Sequence, residues 1–337
     1  MTQSTPFVWE PSQDQIYSQD LGSQTLTDGS FDKAEGKEFT MGAAGCELVM
    51  NVTDKHTQES IWWFDNSKLN VEAGTFTYDF SYFISSPLQA PLLMLRGINA
   101  GVKDDVQSCF KIKNPRFVDI LGDIEIKNNG ILSVDSISEE FYISSAASKV
   151  NLSENAQLFI SRVPSKYPTV GINGDVSLDG KSQAVFNLFS LENEENTSYT
   201  VKGNSTISIY SAEINSLNLL DFVISSGNPK ISIGDPQDIL CDITSFGEVV
   251  TINPGEPGEY RRAKGRFNFI EEGKGDFFGE IHLHCRYFNG EEFETDPTNI
   301  KYWLSSHMML CLNGTPLSAN KFDITINRND DLVIKLK

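Results

Sequence analysis

Three stretches in the middle of the chain align on one another at a fixed step, and few folds accommodate that. Ile124, Val150 and Val176 are 26 residues apart, as are Ile126, Leu152 and Leu178. Leu132, Leu158 and Ala184 keep the same step, and so do Val134, Ile160 and Phe186. Each row reads as two apolar residues separated by one, a polar turn, then a second such pair. The turns are Lys127-Asn-Asn-Gly130, Ser153-Glu-Asn-Ala156 and Asp179-Gly-Lys-Ser182. Shorter steps follow, with Val201, Ile207 and Ile209, then Ile224, Ile231 and Ile233, and an earlier row begins at Ile98. A third apolar segment recurs less regularly, as Phe141/Ile143, Val170/Ile172, Leu217/Leu219 and Ile239. Alternation between short β-branched and aromatic runs is the pattern of strands with one buried face, and helical periodicity is almost absent.

A repeat of this kind predicts an all-β coil. One turn of roughly 25 residues would hold three short strands and stack on the last at about 4.8 Å. Alternate side chains would point inward and pile into apolar columns. Asn and Gly suit the corners because they tolerate positive φ. Six or so turns between residues 98 and 245 would make a rod of roughly 25–30 Å. On period and corner residues, this region resembles a right-handed parallel β-helix, the architecture of pectate-lyase-like enzymes and phage tailspikes. An antiparallel sandwich is the alternative.

The expected organisation has four parts. Residues 1–45 are a polar, loosely structured segment, and 46–97 an aromatic β cap over the end of the coil. Residues 98–245 are the parallel β-helix. A Gly/Pro-rich loop, Asn253-Pro-Gly-Glu-Pro-Gly258, opens the last part, 246–337, read as a small antiparallel β domain.

Charge and composition exclude several classes. With 27 basic and 46 acidic side chains the net charge is −19, so nucleic acid and anionic membrane surfaces are unfavourable partners. The densest apolar stretch, Pro91–Leu95, is far too short to span a bilayer. Met1–Trp9 has neither a basic region nor an apolar run, which predicts synthesis in the cytoplasm without a secretion signal. Release by lysis or a dedicated apparatus, or a place in a virion, would fit. The five cysteines are scattered, which predicts reduced thiols. Five Asn-x-Ser/Thr triplets, at Asn51, Asn151, Asn196, Asn204 and Asn313, reflect a chain rich in those residues.

Chemistry-bearing residues are sparse. Polygalacturonase-like hydrolases carry Asn-Thr-Asp, Asp-Asp, Gly-His-Gly and Arg-x-Lys; only Asp104-Asp105 and Arg262-Ala263-Lys264 match, and no catalytic role is carried over. Asp123 and Asp175 precede equivalent strands two rows apart, so they would lie roughly 10 Å from each other, near the separation used by inverting glycosidases. Both also sit in Gly-Asp turns, where Asp is expected structurally. His282 and His284 share one strand face, and with His307 could hold a divalent metal; paired surface imidazoles are the alternative. Phe76, Tyr78, Phe80 and Tyr82 form an aromatic row near Trp62 and Trp63. Exposed, Trp62, Trp63, Tyr78 and Tyr82 would stack sugars or a protein partner; buried, the row would be core.

With no catalytic signature, the chain reads first as a non-enzymatic binding protein, spike-like, recognising a surface ligand such as a glycan or a cell-surface receptor, and compatible with a homo-oligomer. A hydrolase or lyase acting on polysaccharide through carboxylates along the coil is a second class. A released toxin or effector is a third.

Overall fold

The computed structural model describes all residues except 1–5, 57–59, 104, 145–146, 165, 167, 193–196, 214–219, 235–240, 243–265, 272–277, 289–290, 293–297 and 328–330. Asp104, Asn196, Leu217, Leu219, Ile239, the 253–258 loop and Arg262-Ala263-Lys264 lie outside the described residues. The chain forms two compact units, Met1–Gly174 and Asp175–Lys337. Its fold is a parallel β-helix of about 26 residues per coil with a small antiparallel strand region near the carboxyl end.

The first unit contains β1 (Gln15–Tyr17), β2 (Gln24–Leu26), β3 (Glu38–Asn51), β4 (Ile61–Trp62), β5 (Lys68–Asp79) and β6 (Leu93–Leu95). There follow β7 (Ile98–Ala100), β8 (Ser108–Lys113), β9 (Phe117–Ile120), β10 (Ile124–Ile126) and β11 (Gly130–Ile137). The last four are β12 (Glu140–Ile143), β13 (Lys149–Leu152), β14 (Gln157–Arg162) and β15 (Thr169–Ile172). They form three parallel ladders, one per face of the coil.

The first face runs β1–β3–β5–β7–β10–β13. Its inward column is Phe39, Leu69, Ile98, Ile124 and Val150. On the second face the column Leu48, Phe76, Phe110, Leu132 and Leu158 continues the same logic through β3, β5, β8, β11 and β14. The third face joins β4, β6, β9, β12 and β15 around Ile61, Leu93, Val118, Phe141 and Val170. All fifteen of these side chains are buried. Burying each contributes about 1.5–3 kcal/mol before entropy is charged against it.

The columns read from the 26-residue step are therefore real neighbours wherever both members lie in one unit: Ile98, Ile124 and Val150, or Leu132 and Leu158. Corners take the expected left-handed backbone, on Asn and Gly at Asn128 and Gly180 but on Glu154, not the neighbouring Asn155, at the corner between them. Asn128 has φ +51° and Glu154 φ +61°, and Asn128 Nδ2 donates to Gly101 O at 2.8 Å.

Parallel pairing is present on the amino-terminal side of residue 98 as well. Among the described residues, β1 and β2 pair in parallel with β3, β3 with β5, and β5 with β7. The step is longer there: Phe39 pairs with Leu69, 30 residues on, and Leu69 with Ile98, 29 on. Strands β3 and β5 each turn through two faces, with register shifts near Gly42, which hides them from an alignment on 26. Trp9 closes the interior at the first strands, with ring centroids 5.0 Å from Phe39 and 6.1 Å from Trp63. Its indole N–H donates to Asp32 O at 2.8 Å. Beside it the fully buried Lys33 ammonium lies 4.7 Å from the Trp9 ring centroid, and burial pushes its pKa down to about 8.

The second unit holds β16 (Asp175–Leu178), β17 (Gln183–Glu192), β18 (Thr197–Gly203), β19 (Thr206–Glu213), β20 (Leu220–Gly227) and β21 (Lys230–Ile233). Next come β22 (Cys241–Asp242), β23 (Phe267–Phe269), β24 (Glu280–Leu283), β25 (Cys285–Phe288) and β26 (Glu291–Glu292). It ends with α1 (Thr298–Ser306), β27 (Leu310–Leu312), β28 (Thr315–Pro316), β29 (Phe322–Ile326) and β30 (Leu332–Leu336). One parallel ladder is β16–β18–β20–β23–β27 and another β17–β19–β21–β24. Parallel pairing thus continues beyond residue 245. Antiparallel pairing enters where β30 joins β24 and β29, and in the short pairs β25–β26 and β27–β28. Helix α1 stands outside the all-strand expectation; Ile300 and Leu304, one helical turn apart, are its buried contacts.

Candidate functional site

Alternation decides what the third face of the first unit shows to solvent. With Leu93, Val118 and Phe141 inward, the next residue on each strand points out, giving a column Trp62, Met94, Asp119, Tyr142 and Gly171. Trp62 is 38% exposed and Phe64 49%. Their rings stack at 6.3 Å between centroids with 28° between planes. Across the same face Phe117 and Tyr142 lie 6.0 Å apart at 53°, both partly exposed. Four aromatic rings on solvent-facing positions form a surface that core packing does not require.

Polar groups are set among these rings. Asp119 sits between Met94 and Tyr142 in the column and is largely buried. Burial raises its carboxyl pKa above the ordinary aspartate value, opposed by hydrogen bonds from Ser144 and by the Arg96 charge. Ser144 Oγ donates to Asp119 Oδ1. Arg96 in turn pairs with Asp65 at 2.6 Å. Arg96 also borders a groove of about 1010 Å³ lined by Asp65, Asn99, Asp123, Glu125 and Asn151. Aromatic platform and polar groove meet at one arginine.

The two tryptophans expected to act together are separated by strand parity. Trp63 is 1% exposed and Tyr78 0%, so both are core side chains. Trp63 Nε1 donates to Tyr78 Oη at 2.9 Å, and Tyr78 Oη donates to Phe31 O at 3.1 Å. Phe76 and Phe80 are buried too. Tyr82 is exposed but lies past the end of β5, edge-on to Phe83 at 5.1 Å. Of the four aromatic candidates only Trp62 belongs to the outward face. Phe64, Phe117 and Tyr142, not among the four, are solvent-facing too; the i, i+2 step from Trp62 to Phe64 was the available sequence signal.

Asp123 and Asp175 lie in different units. Each does the same structural work: Asp123 Oδ1 accepts from Lys149 N at 2.9 Å, and Asp175 Oδ1 from Ser198 N and Oγ, both at 2.9 Å. Asp14 does this for Glu38 N at 2.9 Å. A turn carboxylate that caps a backbone N–H of the following coil is a repeated device of the fold. Asp123 also lines the groove just described.

His282 and His284 converge on one carboxylate. His284 Nδ1 contacts Asp331 Oδ1, and His282 Nδ1 is 3.9 Å from Asp331 Oδ2. His282 Nε2 lies 2.7 Å from Glu280 Oε1, and Lys335 Nζ 2.5 Å from Glu280 Oε2. Burial lowers the His282 pKa, opposed by Glu280 and Asp331. The cluster ties β24 to the segment leading into β30. His307 ends α1 instead, with Nδ1 2.9 Å from Trp303 O and its ring 4.6 Å from the indole. Among the described residues no three His, Cys, Asp or Glu side chains are arranged to hold a metal ion. Cys46, Cys109 and Cys311 are in no disulfide, and burial pushes the Cys109 thiol up to about 11. Among the described residues no helix is long and apolar enough to cross a membrane.

No family model, curated protein or solved structure matches the chain. What the structure shows is the parallel β-helix architecture, which does not select an activity.

Proposed function

We propose that the protein is a non-enzymatic, spike-like binding protein that recognises a glycan on the outward face of β4, β6, β9 and β12. The observation that carries this is the solvent-facing set Trp62, Phe64, Phe117 and Tyr142 interleaved with Arg96, Asp119 and Ser144. Flat rings accept the apolar faces of sugars, while neighbouring charged and hydroxyl groups fix their hydroxyls. A rigid coil holds these groups at strand spacing, so little ordering entropy is lost on binding.

The test is co-elution of the purified protein with a panel of polysaccharides in gel filtration, comparing the native chain with Trp62→Ala and Phe64→Ala. Polymer of unchanged length co-eluting with native protein, and lost with the variants, is the expected result. Shortened polymer would transfer the protein to the hydrolase or lyase class. No interaction with any polymer would remove the glycan assignment.

A further inference from the structure

Resting on that glycan assignment, we infer that the ligand is an uncharged oligosaccharide laid across the strands, with Asp119 as the acceptor that selects it. Trp62, Met94, Asp119 and Tyr142 occupy consecutive strands in one outward column, which spans about 14 Å at the strand spacing. Aromatic side chains stand at the two ends and a carboxylate between them. A short run of sugar units placed along this column would meet a ring, the carboxylate, and a second ring.

Charge on and around the column decides which sugars fit. Three cations on these strands and turns are matched by carboxylates: Arg96 with Asp65 at 2.6 Å, Arg116 with Glu139 at 2.6 Å, and Lys127 with Glu125 at 2.7 Å. Among the described residues, neither Asp119 nor Asp123 forms an ion pair with a lysine or arginine. A glycan bearing carboxylates or sulfates would find Arg96 and Arg116 already paired with carboxylates and would face like charge on a chain of net charge −19, which is costly at close range. A neutral sugar brings hydroxyl donors. An ionised carboxylate is purely an acceptor with about four lone-pair sites, and Ser144 uses only part of that capacity at Asp119. A hydroxyl donated to Asp119 supplies the partner that a covered carboxylate needs, because bound sugar would strip what water it keeps.

Affinity electrophoresis through gels containing dextran, galactomannan or mixed-linkage glucan, against polygalacturonate, alginate or heparin, tests this. The native protein is expected to be retarded by at least one neutral polymer and by none of the anionic ones. Asp119→Asn should weaken that retention about ten- to a hundredfold, the worth of a charged hydrogen bond, with an unchanged circular dichroism spectrum and melting temperature. Trp62→Ala should abolish it. Retention by an anionic polymer as strong as by a neutral one overturns the inference about charge while leaving glycan binding intact. Undiminished retention of Asp119→Asn overturns the role of Asp119. Retention by no polymer of either kind overturns glycan binding and this inference with it.

Discussion

Gly101 and Gly45 share a backbone conformation but not a neighbourhood, so replacing each by alanine separates strain from contact. Their φ angles are +77° and +72°. In that region an L side chain costs about 1–2 kcal/mol. Around Gly45 a new Cβ would meet nothing within 4 Å, so Gly45→Ala should cost that strain and no more. At Gly101 the Cβ would fall 1.8 Å from Lys127 O, 2.7 Å from Lys127 C and 2.9 Å from Gly130 N. All three are backbone atoms of the next coil and cannot rotate away. The glycine cannot move either, since its N–H donates to Val71 O at 3.1 Å and Ser108 Oγ at 2.7 Å. Overpacking adds about 1–3 kcal/mol, for a total of about 2–5 kcal/mol. In a unit of this size each kcal/mol lowers the melting temperature by about 2–4 °C. Gly45→Ala should therefore lose about 2–8 °C and Gly101→Ala about 4–20 °C, always the larger of the two. Tryptophan fluorescence in a Trp303→Phe background reports the first unit alone, through Trp9, Trp62 and Trp63. Equal losses would refute the close approach of the coils at Gly101.

Other consequences are as direct. Tyr78→Phe leaves the buried Trp63 N–H and Phe31 carbonyl without the Tyr78 hydroxyl, so it should cost about 1–3 kcal/mol in a denaturant melt; a midpoint equal to the native one would refute the buried bond. Asp123→Ala removes the acceptor for Lys149 N and should cost about 0.5–1.5 kcal/mol, whereas Asp123→Asn keeps an acceptor oxygen and should be near neutral. Equal losses in the two variants would show that this bond contributes nothing. Because the His282 pKa lies below its ordinary value of 6.5 in the folded chain, chiefly through burial, the unfolded chain binds the proton more readily. The stability this confers is complete above pH 6.5 and is lost as pH falls through the lower folded value. Amide exchange in β30 should accelerate on that descent and do so less in His282→Asn; identical pH profiles would rule His282 out as the cause.

How much of this was legible follows from how each feature is encoded. Ile124 and Val150, or Leu132 and Leu158, were readable as neighbours because a coil of constant length turns a spatial column into a constant sequence step. Phe39, Leu69 and Ile98 form the same kind of column, yet their steps of 30 and 29 residues break the alignment. The passage from Phe76 to Phe80 was readable as core because consecutive same-face rings need burial. The candidate site was less accessible. Trp62, Met94, Phe117, Asp119 and Tyr142 belong to four strands of unremarkable composition, with Phe64 two residues past the first of them, and nothing in the order of residues marks them as one surface.

The sequence alone determined that the chain is a β coil, because apolar alternation and its period are local properties written into every row. It also determined that no familiar catalytic motif is present and that the surface is strongly acidic. Tertiary structure alone decided which aromatics face water. Trp62 and Trp63 are adjacent and chemically identical, and only the phase of the strand against its partners Leu93 and Met94 sends one outward and the other into the core. It decided equally that Asp119 lies among exposed rings while Asp123 caps a backbone N–H. Both are ordinary aspartates in sequence, and their roles come from what the neighbouring coils place beside them.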